Sequence, residues 1–345
     1  MNDSNGLSIA IVGATGLVGR TFLKVLEERD ISISHLGLFA TVRSAGKKLL
    51  FKGEEFVVQN IEQADFSRFD VALFSAGKEA SKKYVPLAVK SGTLVIDNGS
   101  FWRMNPKVPL VVPEVNFDDA LNHRGIIANP NCSTIQLVVA LKPISDRFGI
   151  KKVEVSTYQA ISGAGQKGIN KLLEEIQSNK PVQILSSHPI AFNILFHSIP
   201  GKFLFSEEET KIINETRKIL HLRKLKISAT CVRIPVLVGH CESVTVQTKS
   251  SFALEELEEI LRNSKGIKIM DEPDKEIYPT PRIVEGTDYV YIGRIRRNNA
   301  EKNSMHLWVV ADNVRKGAAS NAIQILEQLL KVAPEKIKNF PKMFR

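Results

Sequence analysis

Cysteine is scarce in this chain: three residues in 345. An odd and small number does not make a disulfide framework, so reduced thiols and a cytoplasmic setting are expected. No apolar run approaches the length of a membrane span, which removes a membrane from the expected partners. The opening stretch Met1-Asn2-Asp3-Ser4-Asn5-Gly6 has no basic or apolar region, so no secretory leader is expected. Internal repeats and low-complexity linkers are also missing. The formal charge of +10 suits anionic ligands, but the Lys and Arg are scattered and interrupted by runs such as Glu207-Glu208-Glu209. Without a basic stripe interleaved with aromatics, nucleic acid is not an expected partner. His188, His197 and His221 have no metal-ligand companions at useful spacing, so no metal is expected.

What is present fits a soluble globular chain with room for two cores. Residues 7–12 read as a strand that runs into Gly13-Ala14-Thr15-Gly16-Leu17-Val18-Gly19, followed by a helical pattern over 21–28. A second strand is expected at 35–40, and short apolar runs follow at 71–74, 94–96 and 110–112. Strands alternating with helices point to a mostly parallel, helix-covered sheet. The pattern changes near residue 133. Longer strands are expected at 153–161, 230–238, 243–248 and 305–310, with helices at 167–177, 207–220 and 254–262. The fold class is therefore α/β, an N-terminal Rossmann-type domain followed by an α+β domain. The boundaries are set at 1–132 with 312–345 for the first and 133–311 for the second, because the closing helix at 316–330 is expected to return to the first core. The tail 334–345 is basic.

Cys132 follows the apolar run Gly125-Ile126-Ile127-Ala128 and precedes an amphipathic stretch at 135–141. Strand, turn and helix place this thiol at or near a helix N-terminus, where unpaired N–H groups stabilise a thiolate. A nucleophile and a buried apolar cysteine are equally good readings of that segment alone. Asn131, Ser133 and Thr134 on either side make a poor core patch.

Gly13-x-x-Gly16-x-x-Gly19 between a strand and a helix is a dinucleotide-binding turn, with Gly13, Thr15, Gly16, Leu17 and Val18 as the contact candidates. At the end of the second strand, NAD enzymes usually carry an acidic residue for the ribose hydroxyls. Here the chain reads Ala40-Thr41-Val42-Arg43-Ser44, hydroxyls and a guanidinium with no carboxylate. That set suits a 2′-phosphate and favours NADP, with an ordinary solvated loop arginine as the plain alternative.

With these segments in place the chain resembles the aspartate-β-semialdehyde dehydrogenase family, essentially end to end and in order. The resemblance includes Ser75-Ala76-Gly77, Asp97-Asn98-Gly99-Ser100 with Arg103, and Asn131-Cys132-Ser133-Thr134. It continues through Tyr158-Gln159-Ala160-Ile161-Ser162-Gly163, Glu208 with Lys211, Arg233-Ile234-Pro235-Val236, Gly239-His240 and Asp312-Asn313. It implies a glyceraldehyde-phosphate-dehydrogenase-like fold, a homodimer or homotetramer, and the NADPH-dependent conversion of L-aspartyl 4-phosphate into L-aspartate 4-semialdehyde and phosphate. This reaction serves lysine, diaminopimelate, threonine and methionine synthesis.

The resemblance also implies roles. Cys132 is the nucleophile that forms a thioacyl enzyme, His240 the acid/base, Gln159 a positioning amide, and Asn131 an orienting group. Arg233 holds the substrate's α-carboxylate, Arg103 and Lys211 its phosphate, and Glu208 its ammonium. Ser75, Ala76 and Gly77 join the cofactor site, with Ser162, Gly163 and Asn313 on its nicotinamide side. By spacing alone, Glu208 and Lys211 would be a surface pair, His240 a hydrogen-bonded strand-end histidine, and Gln159 an exposed polar residue. Glu207, Glu208 and Glu209 compete for the ammonium.

Trp102 is assigned to packing, and Cys231 and Cys241 to buried, inert positions. The chain departs from the family pattern at Gly99 and Cys241, where serine is frequent, and at Phe196, where proline is common. The alternatives are an N-acetyl-γ-glutamyl-phosphate reductase, whose cysteine segment differs, and a non-enzymatic NADP-binding protein, which would be expected to have lost Cys132 or His240.

Overall fold

The structure is a computed structural model and describes residues 6–178, 182, 188–201, 204–341 and 343. Residues 1–5, read above for a leader, and 342, 344 and 345 of the basic tail lie outside the described residues. The chain forms two compact units, Met1–Pro130 with Ala318–Arg345, and Asn131–Gly317.

The first unit opens with β1 (Leu7–Val12), α1 (Leu17–Glu28), β2 (Ile33–Ala40) and the hairpin of β3 (Lys48–Phe51) and β4 (Glu54–Val57). It continues through β5 (Gln59–Asn60), β6 (Val71–Phe74), α2 (Lys78–Lys90), β7 (Leu94–Asp97), α3 (Pro113–Ala120) and β8 (Ile126–Ala128). Six strands pair in the order β5-β2-β1-β6-β7-β8, all parallel. A sheet covered on both faces buries whole strands, and β6 and β7 are buried at every residue. The core joins Ile9 and Ile11 of β1 to Phe22, Val25 and Leu26 of α1.

The expected strand at 110–112 is not one. Leu110 makes a single bridge to Ala128, because Pro109 and Pro113 flank a piece too short to continue a ladder.

The second unit begins with α4 (Cys132–Phe148), β9 (Ile150–Gln159), α5 (Gln166–Ser178), β10 (Leu195–Phe196) and α6 (Glu207–Ile219). Next come β11 (Lys226–Arg233), β12 (His240–Thr248), α7 (Leu254–Arg262), β13 (Ile267–Ile269), α8 (Pro281–Val284), β14 (Val290–Arg297) and β15 (Ser304–Ala311). Its sheet runs β10-β11-β9-β12-β15-β14-β13 and is mixed: β11 lies parallel to β9, and β12 antiparallel to both β9 and β15. The strand expected at 230–238 ends instead at Arg233. Pro235 has no N–H for the ladder, and the chain turns back toward His240.

The closing helix expected at 316–330 starts as a wide π turn over Arg315–Ala319 and becomes α9 (Ser320–Val332). Ile323, Leu326 and Leu329 of α9 belong to the first unit's core.

Candidate active site

Register builds this site. Arg233 pairs with Gln159, and Cys241 with Tyr158, which sets His240 level with Gln159. Three adjacent strands thus present Arg233, Gln159 and His240 in one row. Side chains two residues apart share a sheet face, so the next row inward is Cys231, Thr157 and Glu242.

The candidate nucleophile, Cys132, comes from α4. Asn131 is its N-cap: Oδ1 accepts the N–H groups of Ser133 (3.0 Å) and Thr134 (3.2 Å). Cys132 is therefore the first helical residue, half-buried, at the positive end of a 17-residue helix. Its Sγ lies 3.2 Å from His240 Nε2. A Cβ on Gly317 would sit 2.9 Å from Cys132 Cβ, so the thiol's backing needs a residue without a side chain.

Two glutamates of α6, seven residues apart on one face, grip the cap. Glu208 Oε1 accepts from Asn131 Nδ2 at 2.7 Å, and Glu215 Oε2 from the Asn131 backbone N–H at 2.7 Å. Gln159 Nε2 donates to Ser133 Oγ and, at 3.2 Å, to Glu208 Oε1. The structure separates the three glutamates. Glu209 closes a capping box with Ser206, Glu207 is exposed, and Glu208 faces Asn131, Gln159 and Lys211 (3.2 Å). Burial opposes ionisation of Glu208. Lys211, His197 and the two amides outweigh it and hold the carboxyl at about 2.

Cations balance this charge. Arg233 donates through Nη1 to the Ala160 carbonyl (3.0 Å) and through Nη2 to His197 Nδ1 (3.3 Å). Burial lowers the Arg233 pKa, against the pull of Glu208 and Cys132. Burial and then Arg233 push His197 down to about 4, and the same two causes push His240 down to about 3. Both imidazoles are neutral near pH 7. His197, weighed from the sequence only as a metal ligand, joins the candidate site through its distant pairing with Arg233.

Beside the row, a Cβ on Gly163 would meet Arg233 Nη1 at 3.1 Å and His240 Nε2 at 3.5 Å, so this glycine leaves room over the imidazole. Asn313 Oδ1 accepts the Gly239 N–H (2.9 Å) and Nδ2 donates to Ser162 Oγ (2.9 Å). The inner row contains another residue the sequence did not single out. Glu242 is fully buried, and burial raises its carboxyl well above the usual range, with Gln136 nearby opposing the shift. Cys231 and Cys241 are buried as expected; burial raises both thiols, Cys241 to about 12.

In the first unit, the turn after β1 has a left-handed Gly13 (φ +87°), and a Cβ there would collide with the Ser75 carbonyl. A Cβ on Gly19 would strike Gly13, so α1 needs that glycine to pack. Gly16 and Gly77 are the N-caps of α1 and α2, and neither helix start is closed by a side chain. Two such N-termini after adjacent parallel strands make a cradle for phosphates, flanked by Thr15, Leu17, Val18, Ser75 and Ala76. Thr41 and Arg43 are exposed and Ser44 half-buried in a 3₁₀ turn after β2.

Arg103 is nearly buried and donates to the Asn98 carbonyl at 2.9 Å. Burial lifts nearby Asp97 to about 6, although Gly99 N–H and Ser81 Oγ donate to it. A Cβ on Gly99 would meet Ser81 Oγ, so a larger residue at this departure requires that hydroxyl to shift. Trp102 is buried against Phe101, and Phe196 is exposed. Among the described residues no cluster of metal-binding side chains occurs, and no helix is long and apolar enough to cross a membrane.

Residues 8–123 match the family model described as "Semialdehyde dehydrogenase, NAD binding domain", and residues 141–316 match "Semialdehyde dehydrogenase, dimerisation domain". The chain is 51% identical over 335 residues to the aspartate-semialdehyde dehydrogenase of Aquifex aeolicus, covering 94% of this chain and 98% of that protein. It is 45% identical to that of Bacillus subtilis, covering 95% and 98%. Among solved structures, aspartate semialdehyde dehydrogenase II from Vibrio cholerae complexed with ASA superposes with a TM-score of 0.91 at 43% identity, covering 95% of this chain and 99% of that one. The Candida albicans enzyme with NADP superposes at 0.75 with 27% identity, covering 94% and 99%.

Proposed function

The chain belongs to the aspartate-semialdehyde dehydrogenase family, and on that premise we propose that it reduces L-aspartyl 4-phosphate to L-aspartate 4-semialdehyde with release of phosphate. The step belongs to lysine, diaminopimelate, threonine and methionine synthesis. The observation that carries the proposal is the Cys132–His240 pair at the head of α4, 3.2 Å apart. A thiolate there adds to the acyl phosphate, expels phosphate and leaves a thioacyl enzyme, which divides one hard step into two easier ones.

The other residues take roles by charge. Arg233, charged and already aimed by Ala160 and His197, is the partner for the substrate's α-carboxylate. Glu208, held ionised, faces the ammonium. Lys211 and Arg103 are assigned to the phosphate, as the family resemblance implies. Gln159 and Asn131 orient the acyl group and the thiol through their shared bond to Glu208.

The first unit fits a dinucleotide: a left-handed glycine against Ser75 and two uncapped helix starts accept phosphate oxygens by backbone N–H. We assign NADP, with Thr41, Arg43 and Ser44 at the 2′-phosphate and Ser162, Gly163 and Asn313 toward the nicotinamide. Bound NADPH supplies the hydride that reduces the thioester to the aldehyde. Replacing Arg43 by Ala should remove a charge-assisted contact of about 1.5–3 kcal/mol. The expected result is a roughly 10- to 100-fold loss in kcat/KM for NADPH with little change for NADH; equal losses would refute the assignment.

The match to a dimerisation domain and the exposed apolar side chains Phe192, Ile194, Phe196 and Leu204 support a homodimer. A tetramer would be a further assembly of it, and the cytoplasm is the proposed compartment. Reduction of NADP by the purified protein with aspartate semialdehyde and phosphate tests the function. A preference for N-acetylglutamate semialdehyde would favour the reductase alternative instead.

A further inference from the structure

The neighbours of His240 locate its proton. Nδ1 accepts the backbone N–H of Ala160 at 3.0 Å. An amide N–H cannot reverse that bond, and a ring nitrogen that accepts carries no proton, so the neutral imidazole holds its hydrogen on Nε2. Nε2 is the atom 3.2 Å from Cys132 Sγ, which makes sulfur the acceptor of that contact. The charged or titratable groups around the ring are Arg233, Glu208, His197 and Cys132. Burial and Arg233 keep the ring neutral, pushed down to about 3, against the pull of Glu208 and, once it ionises, of Cys132. An imidazolium would need a hydrogen on Nδ1, pointing at the Ala160 N–H.

We propose that the Ala160 peptide fixes His240 as the Nε2–H tautomer, so that His240 serves Cys132 as a hydrogen-bond donor and not as the base that removes the thiol proton. In the attacking form the donor points at a thiolate. The thiol gives its proton to water, and the anion is held by the α4 N-terminus, by Nε2–H and by the field of Arg233. When the sulfur–carbon bond forms on the acyl phosphate, negative charge moves to the carbonyl oxygen and the Nε2–H can follow it. The carbon–oxygen bond to phosphate then breaks, and phosphate leaves with the electron pair and takes a proton from water. No proton crosses the imidazole in that sequence. The Ala160 carbonyl accepts from Arg233 Nη1, so one peptide orients both the donor and the guanidinium. Ala160 is a positioning residue acting through its main chain, at the point where β9 ends in a 3₁₀ turn.

This deepens the reading of Cys132 given above, and its test needs no substrate, so it stands or falls separately from the enzyme assay. Nitrogen-15 NMR of the full chain, with the signal assigned by its loss in His240→Gln, should show a neutral ring at pH 7 with Nε2 protonated and Nδ1 bare. A protonated Nδ1, whether as the other tautomer or as an imidazolium, overturns the proposal. Alkylation of Cys132 by iodoacetamide at pH 7 gives a second reading. The side-chain amide introduced by His240→Gln can donate but cannot act as a base near neutral pH. His240→Gln should stay within about tenfold of the unchanged protein, whereas His240→Ala should fall roughly a hundredfold. Equal losses in the two variants would contradict the donor role.

Discussion

His240 and His197 protonate near 6.5 in an unfolded chain, but in the fold they resist protonation until about 3 and 4. The unfolded state therefore binds more protons below 6.5, and stability falls as pH drops through that window. Glu208, held at about 2 against an ordinary 4.5, adds a further loss once the pH falls below 4.5. Replacing His240 by Asn should flatten the decline between pH 6.5 and 5, read from urea midpoints at each pH. An unchanged slope would mean that the ring is not held neutral. The candidate side chains Cys132, Gln159, Glu208, Arg233 and His240 were legible in the sequence, but their pairings were not. Gln159 reads as an exposed strand residue until β11 and β12 are placed on either side of β9. His197 has no local signal, because its partner Arg233 lies 36 residues away.

The apolar positions after Cys132 announce α4, and Asn131 caps it as an Asn at that position should. Replacing Asn131 by Ala should cost about 0.5–2 kcal/mol of stability. It should also lower kcat, since the same side chain bonds Glu208. Denaturant titration beside steady-state kinetics separates the two effects, and a kcat unchanged by the substitution would remove Asn131 from the site.

The inner row offers an opposite pH signature. Glu242 has its folded pKa raised, so its contribution is fully present below about 4.5 and is lost as pH rises. Replacing Glu242 by Gln should therefore stabilise the protein at neutral pH, by a margin that widens from pH 5 to pH 8. A constant margin would mean that the carboxyl is ionised throughout. Where element boundaries departed from expectation, proline explains it: Pro109 and Pro113 leave 110–112 a single bridge, and Pro235 ends β11 early.

For the molecule as a whole, alternation of short apolar runs and helices made the parallel first unit legible. The second unit's strand order depends on pairings between residues far apart, such as Cys241 with Tyr158, and no local pattern specifies them. The dimerisation-domain match over residues 141–316 and the proposed nucleophile Cys132 both fall in that unit. Catalysis is proposed to pass through a thioacyl bond to Cys132. The most direct measurement is NADP reduction by the purified protein with aspartate semialdehyde and phosphate, run beside Cys132→Ala. The account predicts a robust rate for the unchanged protein and a loss of roughly three orders of magnitude or more in the variant. Activity that survives the substitution at a comparable rate would contradict it.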